Sequence, residues 1–378
     1  MNELEAILEA AKANSHQPMA LATLVKASGS TYRRPGARML VLPGGASVGS
    51  ISGGCLEGEV IEQSRQVLQS GQALLRRYDT SPEEDVLFGA GLGCKGEIEV
   101  LIEPVGAAKP TAGRLDLLEL LQTLFQERQT AVIATLFRTP AAAIAPAGAR
   151  LVLNRQGAWK TDIVNEELES RMLADARQAL ESNRSSINEH PLPAGLAEVF
   201  VEVIHSPTSL VIFGGGYDAV ALVRLARELG FHVTVVDRRP AYATSQRFPQ
   251  AHCVAVAQPE EDLAGKFPLD SRSAALVMSH NYMVDRAFLK ALLPLPLLYL
   301  GVMGPRKRAE RMLQELSDQG VPACQAALTR LHNPVGLDIG AESPEQIALA
   351  ILAEIQAVLS GHPGGMLREK RGPIHQRE

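Results

Sequence analysis

The chain alternates short apolar runs with glycine-rich turns, then settles past its midpoint into a regular succession of strand and helix patterns. At the start, Leu4, Ile7, Leu8 and Ala11 recur at helical spacing among acidic residues and predict an amphipathic helix over 1–13. Residues 19–26 (MALATLVK) and 38–42 are apolar and β-compatible, and a polar turn rich in Ser, Gly and Arg separates these two expected strands. Gly44, Gly45, Gly49, Gly53 and Gly54 punctuate a loop ending at Cys55, after which Leu56, Val60, Val67 and Leu68 predict a helix to about Ser70. Strands are expected at 73–78 and 97–102, flanking a second glycine loop, FGAGLGCKG, at 88–96. The stretch 107–200 is less regular: it supports a helix at 115–129, a strand at 131–137 and a helix at 166–182. Residues 183–193 read as a polar, Pro-containing surface loop, 198–204 as a last strand, and no internal repeat stands out.

After Ser206-Pro207 the pattern changes. Strands at 210–213, 232–236, 252–256, 274–278 and 297–300 alternate with helices at 218–229, 260–263, 285–293 and 307–319, the order of a parallel sheet covered on both faces. A last helix begins at Ser343-Pro344-Glu345-Gln346, where Ser343 can cap and Gln346 can close a capping box. The expected fold is therefore α/β: an N-terminal α/β domain over 1–205, a Rossmann-like, doubly wound parallel-sheet domain over 209–360, and a loose tail over 361–378.

Length supports this division, since 378 residues exceed what one core usually organises. A formal net charge of -5 provides no global field for nucleic acid or an anionic membrane, so neither is expected as a partner. The acidic N-terminus lacks the pattern of a secretion signal, and Cys55, Cys94, Cys253 and Cys324 show no CxxC pairing. Reduced thiols and a cytoplasmic location follow as expectations.

Three constellations carry candidate chemistry. In SLVIFGGGYDAVALVRLARELGFHVTVVDRRP, a strand runs through Gly214-x-Gly216-x-x-Ala219 directly into a helix, a dinucleotide fingerprint in its proper context. Gly214 allows the turn, Gly216 lets backbone approach a phosphate, and Asp237 at the end of the next strand is placed to meet a ribose diol. Arg238 and Arg239 can instead meet a phosphate, and Asp218 on the first helical turn partly repels one. Ser279-His280-Asn281-Tyr282 and Gly304-Pro305-Arg306-Lys307-Arg308 follow later strands, face the same crevice and read together as an anion site. An NAD(P)-dependent oxidoreductase with His280 as proton donor is one function this crevice allows.

The third constellation lies in the N-terminal region. Gly53-Gly54-Cys55 puts a thiol at a predicted helix N-terminus, and Cys94 sits in a second glycine loop flanked by Gly91, Gly93 and Gly96. Nine histidines without HxxxH or HExxH argue against a closed zinc site, whereas soft thiolates suit molybdenum, copper or sulfur chemistry. Arg33, Arg34 and Arg38 around Pro35-Gly36 either clamp a further phosphate or form a solvated turn.

These motifs, GSTYRRPGARMLV, GSISGGCLEGEV, GLGCKG, MSHNYMVD, GVMGPRKRAER and RLHNPVGLDIGAESPEQIALAILAEI, resemble in sequence and order the XdhC/CoxI family. The resemblance covers both ends of the chain and implies a cytoplasmic, often dimeric accessory protein for molybdenum hydroxylases of the xanthine dehydrogenase type. Such proteins bind molybdenum cofactor (molybdopterin), present it to a cysteine desulfurase for sulfuration, and pass it to the apoenzyme. On that resemblance Cys55 or Cys94 would hold or guard the molybdenum. Many relatives carry a histidine after the glycine turn where this chain has Gly216-Tyr217-Asp218-Ala219, so that histidine's role has no carrier here.

Overall fold

The computed structural model describes residues 3–79, 96–107, 113–140 and 144–371, which divide into two compact units, Glu3–Ser206 and a second beginning at Pro207.

In the first unit, helix α1 (Glu3–Ala13) leads into strands β1 (Pro18–Gly29), β2 (Arg38–Val41) and β3 (Ser47–Gly49). Helix α2 (Glu57–Ser70) and strands β4 (Leu74–Asp79) and β5 (Gly96–Gly106) complete an antiparallel sheet in the order β3-β2-β1-β5-β4. The succession then repeats. Helix α3 (Leu117–Gln126), strands β6 (Ala131–Arg138), β7 (Ala149–Asn154) and β8 (Trp159–Thr161), helix α4 (Glu166–Ser182) and strands β9 (Ser186–Leu192) and β10 (Gly195–Ile204) form a second antiparallel sheet. Its order, β8-β7-β6-β10-β9, is that of the first, so among the described residues the unit is an internal duplication.

The repeat that the chain does not announce is written in a few inward-facing positions. ATLVK at 22–26 matches ATLFR at 134–138, Gly36-Ala37-Arg38 matches Gly148-Ala149-Arg150, and Glu99 and Glu103 match Glu198 and Glu202. These residues bind the halves to each other reciprocally. Arg38 donates to both carboxylate oxygens of Glu202, the Nη1 contact at 2.9 Å, while Arg150 Nη2 donates to both oxygens of Glu103 at 2.7 and 2.8 Å. Lys26 meets Glu198, and Arg138 meets Glu99 at 2.7 Å and Glu198. Arg38 and Arg150 are only 5% and 3% exposed, so each guanidinium depends on its partner, because an unpaired buried charge costs several kcal/mol. Gly36 and Gly148 make room for these pairs: both have positive φ, and a Cβ would lie 2.8 Å from Glu202 Oε1 or 2.3 Å from Glu103 Oε1.

Strand alternation supplies the apolar part of the same design. Met19, Leu21, Ile133 and Ile204 pack with Leu117 and Leu121 of α3 in one cluster that joins residues of both sheets. On the outer faces, Ala22, Val100 and Ile102 lie beneath Val60 and Val67 of α2, and Val132, Ala134 and Val199 beneath Leu168 and Met172 of α4. The loop expected at 183–193 is corrected: Ser186–Leu192 is strand β9, paired with β10 along its whole length. Its polar sequence and Pro191 fit an edge strand, where one side is solvated and a missing N–H is tolerated.

The second unit runs β11 (Ser209–Phe213), α5 (Tyr217–Glu228), β12 (His232–Asp237), β13 (Cys253–Val256), α6 (Leu263–Lys266), β14 (Ser273–Val277), α7 (Tyr282–Leu292), β15 (Tyr299–Val302), α8 (Arg306–Asp318), α9 (Gln325–Thr329), β16 (Leu331–His332) and α10 (Pro344–Ser360). All six strands are parallel in the order β13-β12-β11-β14-β15-β16, which is the doubly wound arrangement of a Rossmann fold. The wholly buried runs SLVIF and SAALV are what a sheet covered on both faces requires. Strand β16, only two residues long, carries too little pattern to be foreseen. The capping box at Ser343 and Gln346 forms as its sequence predicts.

Candidate functional site

Strand order reverses between β11 and β14, and the crevice beyond their carboxyl ends is the place where such sheets bind ligands. It is lined by Gly214, Asp237, Arg238, Arg239, Ser279 and Asn281, with Val284 and Phe288 beneath. Gly214 has φ +132, and a Cβ there would lie 2.5 Å from Met278 O; one at Gly215 would lie 2.5 Å from Tyr242 O. The turn is thus pressed between two backbone segments, and Gly216 caps α5 without any side chain over the helix end. Ala219 is fully buried against the sheet, as close helix packing demands.

Asp237, expected to meet a ribose diol, is engaged here by the protein itself. Its side chain is 2% exposed and all four acceptor positions are engaged. Oδ1 accepts from the backbone N–H and Nε of Arg239 at 2.9 Å each, while Oδ2 accepts from Gly215 N–H at 2.8 Å and from Arg239 Nη2 at 2.9 Å. Burial opposes ionisation, but the Arg239 guanidinium and these two amides outweigh it and hold the carboxyl below the usual range. The carboxylate therefore locks the glycine turn to the end of β12. Arg239 in turn lies over the Tyr242 ring, 3.6 Å from its centroid, and Arg247 Nη2 donates to Gly215 O at 3.2 Å.

His280 adopts φ +61, a left-handed conformation that a non-glycine residue seldom takes, and its Nε2 lies 3.1 Å from Asp218 Oδ2. The His280 ring lies close to Gly216, where a Cβ would be in van der Waals contact with it at 3.6 Å. Behind them, Asp285 was not foreseen. It is 1% exposed, accepts from Ser279 N–H and Oγ at 2.9 and 2.6 Å, and receives Arg308 at 2.6 Å. Burial pushes its carboxyl up, against these contacts. The signal lay in the spacing, since Asn281 caps α7 by accepting from Val284 N–H at 3.2 Å, and Asp285 is one turn further on. Of the three cations expected at the start of α8, Arg308 turns inward to Asp285, whereas Arg306 and Lys307 are exposed.

In the first unit, the segments after β1 and β3 share one end of the first sheet, because β1 and β3 both run antiparallel to β2. A Cβ at Gly53 would meet the Tyr32 ring at 3.6 Å, and Tyr32 is itself 72% exposed. Cys55 is exposed in this loop, but α2 begins two residues later, at Glu57. The amides of Gly54, Cys55 and Leu56 point to Ser52 Oγ at 3.2 to 3.3 Å, so they are engaged by the protein itself. Glu57 completes the cap, accepting from Ser50 Oγ at 2.8 Å, Ser52 N–H at 3.0 Å and Ser52 Oγ at 2.5 Å. Burial raises the Glu57 carboxyl, but hydrogen bonds from Ser52 and Ser50 prevail and lower it to about 2.

Of the arginines expected either to clamp a phosphate or to form a solvated turn, Arg33 pairs with Glu3, whose other oxygen accepts from Ser50 N–H at 2.7 Å, and Arg38 is engaged by Glu202. Arg34 alone of the three is exposed. Cys94 lies outside the described residues, and among the described residues no three metal-ligating side chains cluster. Segment 50–56, which carries Cys55, stands between β3 and α2 where the second half has only 162–165 between β8 and α4. No helix among the described residues is long and apolar enough to cross a membrane.

Comparison with known proteins bears on both units. The family described as the XdhC Rossmann domain matches residues 210–355, and the XdhC and CoxI family matches residues 13–79. A Bacillus subtilis (strain 168) protein, named as a probable xanthine dehydrogenase subunit, is 31% identical over 354 residues, covering 93% of this chain and 95% of the relative. The molybdenum cofactor insertion chaperone PaoD of Escherichia coli (strain K12) is 23% identical over 339 residues, 89% of this chain and 82% of its own. A solved structure from Bacillus halodurans, described as a xanthine dehydrogenase, superposes over 96% of both chains with a TM-score of 0.74 and 28% identity.

Proposed function

The chain belongs to the XdhC and CoxI family, and from that premise we propose that it is an accessory chaperone that binds molybdenum cofactor, holds it while a cysteine desulfurase renews its sulfido ligand, and delivers it to a xanthine dehydrogenase-type hydroxylase. The observation that carries this proposal is the Cys55 loop: an exposed thiol on backbone fixed by Ser52 and Glu57, in a loop whose Gly53 lies against the exposed Tyr32 ring. A soft sulfur ligand suits molybdenum, and a fixed loop presents it without paying the entropy of ordering at each encounter. Tyr32 supplies a flat apolar face on which a pterin ring can stack. The saturated Asp237 weighs against a dehydrogenase that uses NAD, because its carboxylate has no lone pair left for a free diol.

Anaerobic purification from a molybdopterin-competent host tests the proposal. The wild-type chain should retain oxidisable, fluorescent pterin with molybdenum by elemental analysis, and Cys55→Ser should lower both. Wild-type protein free of pterin under these conditions would overturn the chaperone role. Pull-down of the hydroxylase and the desulfurase tests the two partnerships, and light scattering of the eluted peak tests the expected homodimer.

A further inference from the structure

We infer that the crevice of the second unit is a separate nucleotide site, selective for a nucleotide whose ribose bears a phosphate over one with a free ribose diol. The inference stands on the end of β12 and is independent of the cofactor proposed for the Cys55 loop. A free diol is recognised in this fold by an open carboxylate at the end of the second strand. Here that carboxylate is buried and filled: Gly215 and Arg239 occupy every acceptor position of Asp237. A diol finds no partner there, and burying its hydroxyls unpaired disfavours it.

What the same strand end offers instead is cationic. Arg238 follows Asp237 directly, lines the crevice and is exposed, and its backbone carbonyl accepts from Gln258 Nε2 at 3.4 Å. Arg239 is fixed in plane by Asp237, its guanidinium face lies over Tyr242, and its Nη1 is not among the atoms that hold Asp237. Of the nearby carboxylates, Glu261 pairs with Lys266, and Asp218 Oδ2 lies 3.1 Å from His280 Nε2. A phosphate at the 2′ position would thus meet one mobile and one preset guanidinium, the geometry in which arginine binds phosphate best. The bridging phosphates would lie at the glycine turn, where the first amides of α5 have no helical partner.

Calorimetric titration of the full chain with NADP+ and with NAD+ tests the inference directly. NADP+ should bind at least ten times more tightly than NAD+. Arg238→Ala, a change at an exposed side chain, should erase most of that preference while leaving NAD+ affinity where it was. Arg239→Ala should free Asp237 and raise NAD+ affinity relative to NADP+; circular dichroism of each variant verifies that it is folded. Equal or tighter binding of NAD+ by the wild type, a preference untouched by Arg238→Ala, or no binding of either nucleotide would each overturn it.

Discussion

The Ser52 hydroxyl donates to Glu57 Oε2 at 2.5 Å while its oxygen receives the amides of Gly54, Cys55 and Leu56. One side chain thereby fixes the loop that carries the exposed thiol. Ser52→Ala should cost about 1 kcal/mol of stability, the usual net worth of a hydrogen bond, and Glu57→Gln about 1 to 2 kcal/mol. Urea unfolding of both variants checks the magnitudes, and amide exchange at 53–56 checks that the loop loosens.

The same pair sets an acid limb. Glu57 has its carboxyl lowered from 4.5 to about 2 in the folded chain, so it contributes stability that is fully present above about 4.5. That contribution is lost as pH falls from there through about 2. A plot of unfolding midpoint against pH should therefore fall less steeply over this window in Glu57→Gln than in the wild type. Parallel curves would show that Glu57 is not the group responsible.

Reciprocity of the buried ion pairs predicts matched costs. Glu202→Ala strands Arg38 and Glu103→Ala strands Arg150, and each should destabilise by about 3 to 5 kcal/mol. Replacing both members of a pair with apolar residues of similar volume should recover most of that loss, which a double-mutant cycle measures. Gly36→Ala and Gly148→Ala should each destabilise as well, because the new methyl meets a carboxylate that already holds an arginine.

His280 and Asp218 make a prediction about anions. Without the imidazole, the Asp218 carboxylate stands bare on the first turn of α5, where an incoming phosphate must approach. His280→Ala should weaken NADP+ binding about fivefold, the equivalent of about 1 kcal/mol, and Asp218→Asn in the same background should restore it. An unchanged affinity in His280→Ala would remove the imidazole from the site.

Much of this architecture was legible in the chain where one physical signal dominated. Helix α4 has the bounds its periodicity predicts and the Asn165 cap that starts it, and the parallel sheet follows from strands that read as unbroken apolar runs. Strand β9 was hidden because SINEHPL is polar on an edge, and the duplication because its matched residues are scattered at a few inward positions. The protein partners of Asp237, Arg33 and Arg38 were hidden for a common reason. Residue type and spacing place a charge at a site, but they do not show whether a neighbour from the same fold has already taken it, as Arg239, Glu3 and Glu202 have here.

The duplicated topology has a consequence for the order in which the chain is made. In each half the first strand pairs with the last, Met19 opposite Val105 and Ala131 opposite Ile204, so a sheet can close only when its whole half has emerged. Each half is nevertheless contiguous in the chain. The first sheet is complete at Gly106, before any residue of the second is synthesised. Until the second half follows, Lys26 and Arg38 lack Glu198 and Glu202, and Glu99 and Glu103 lack Arg138 and Arg150. The exposed set is balanced in charge, so a half-made chain presents a face to which a second nascent copy is complementary in the same reciprocal way.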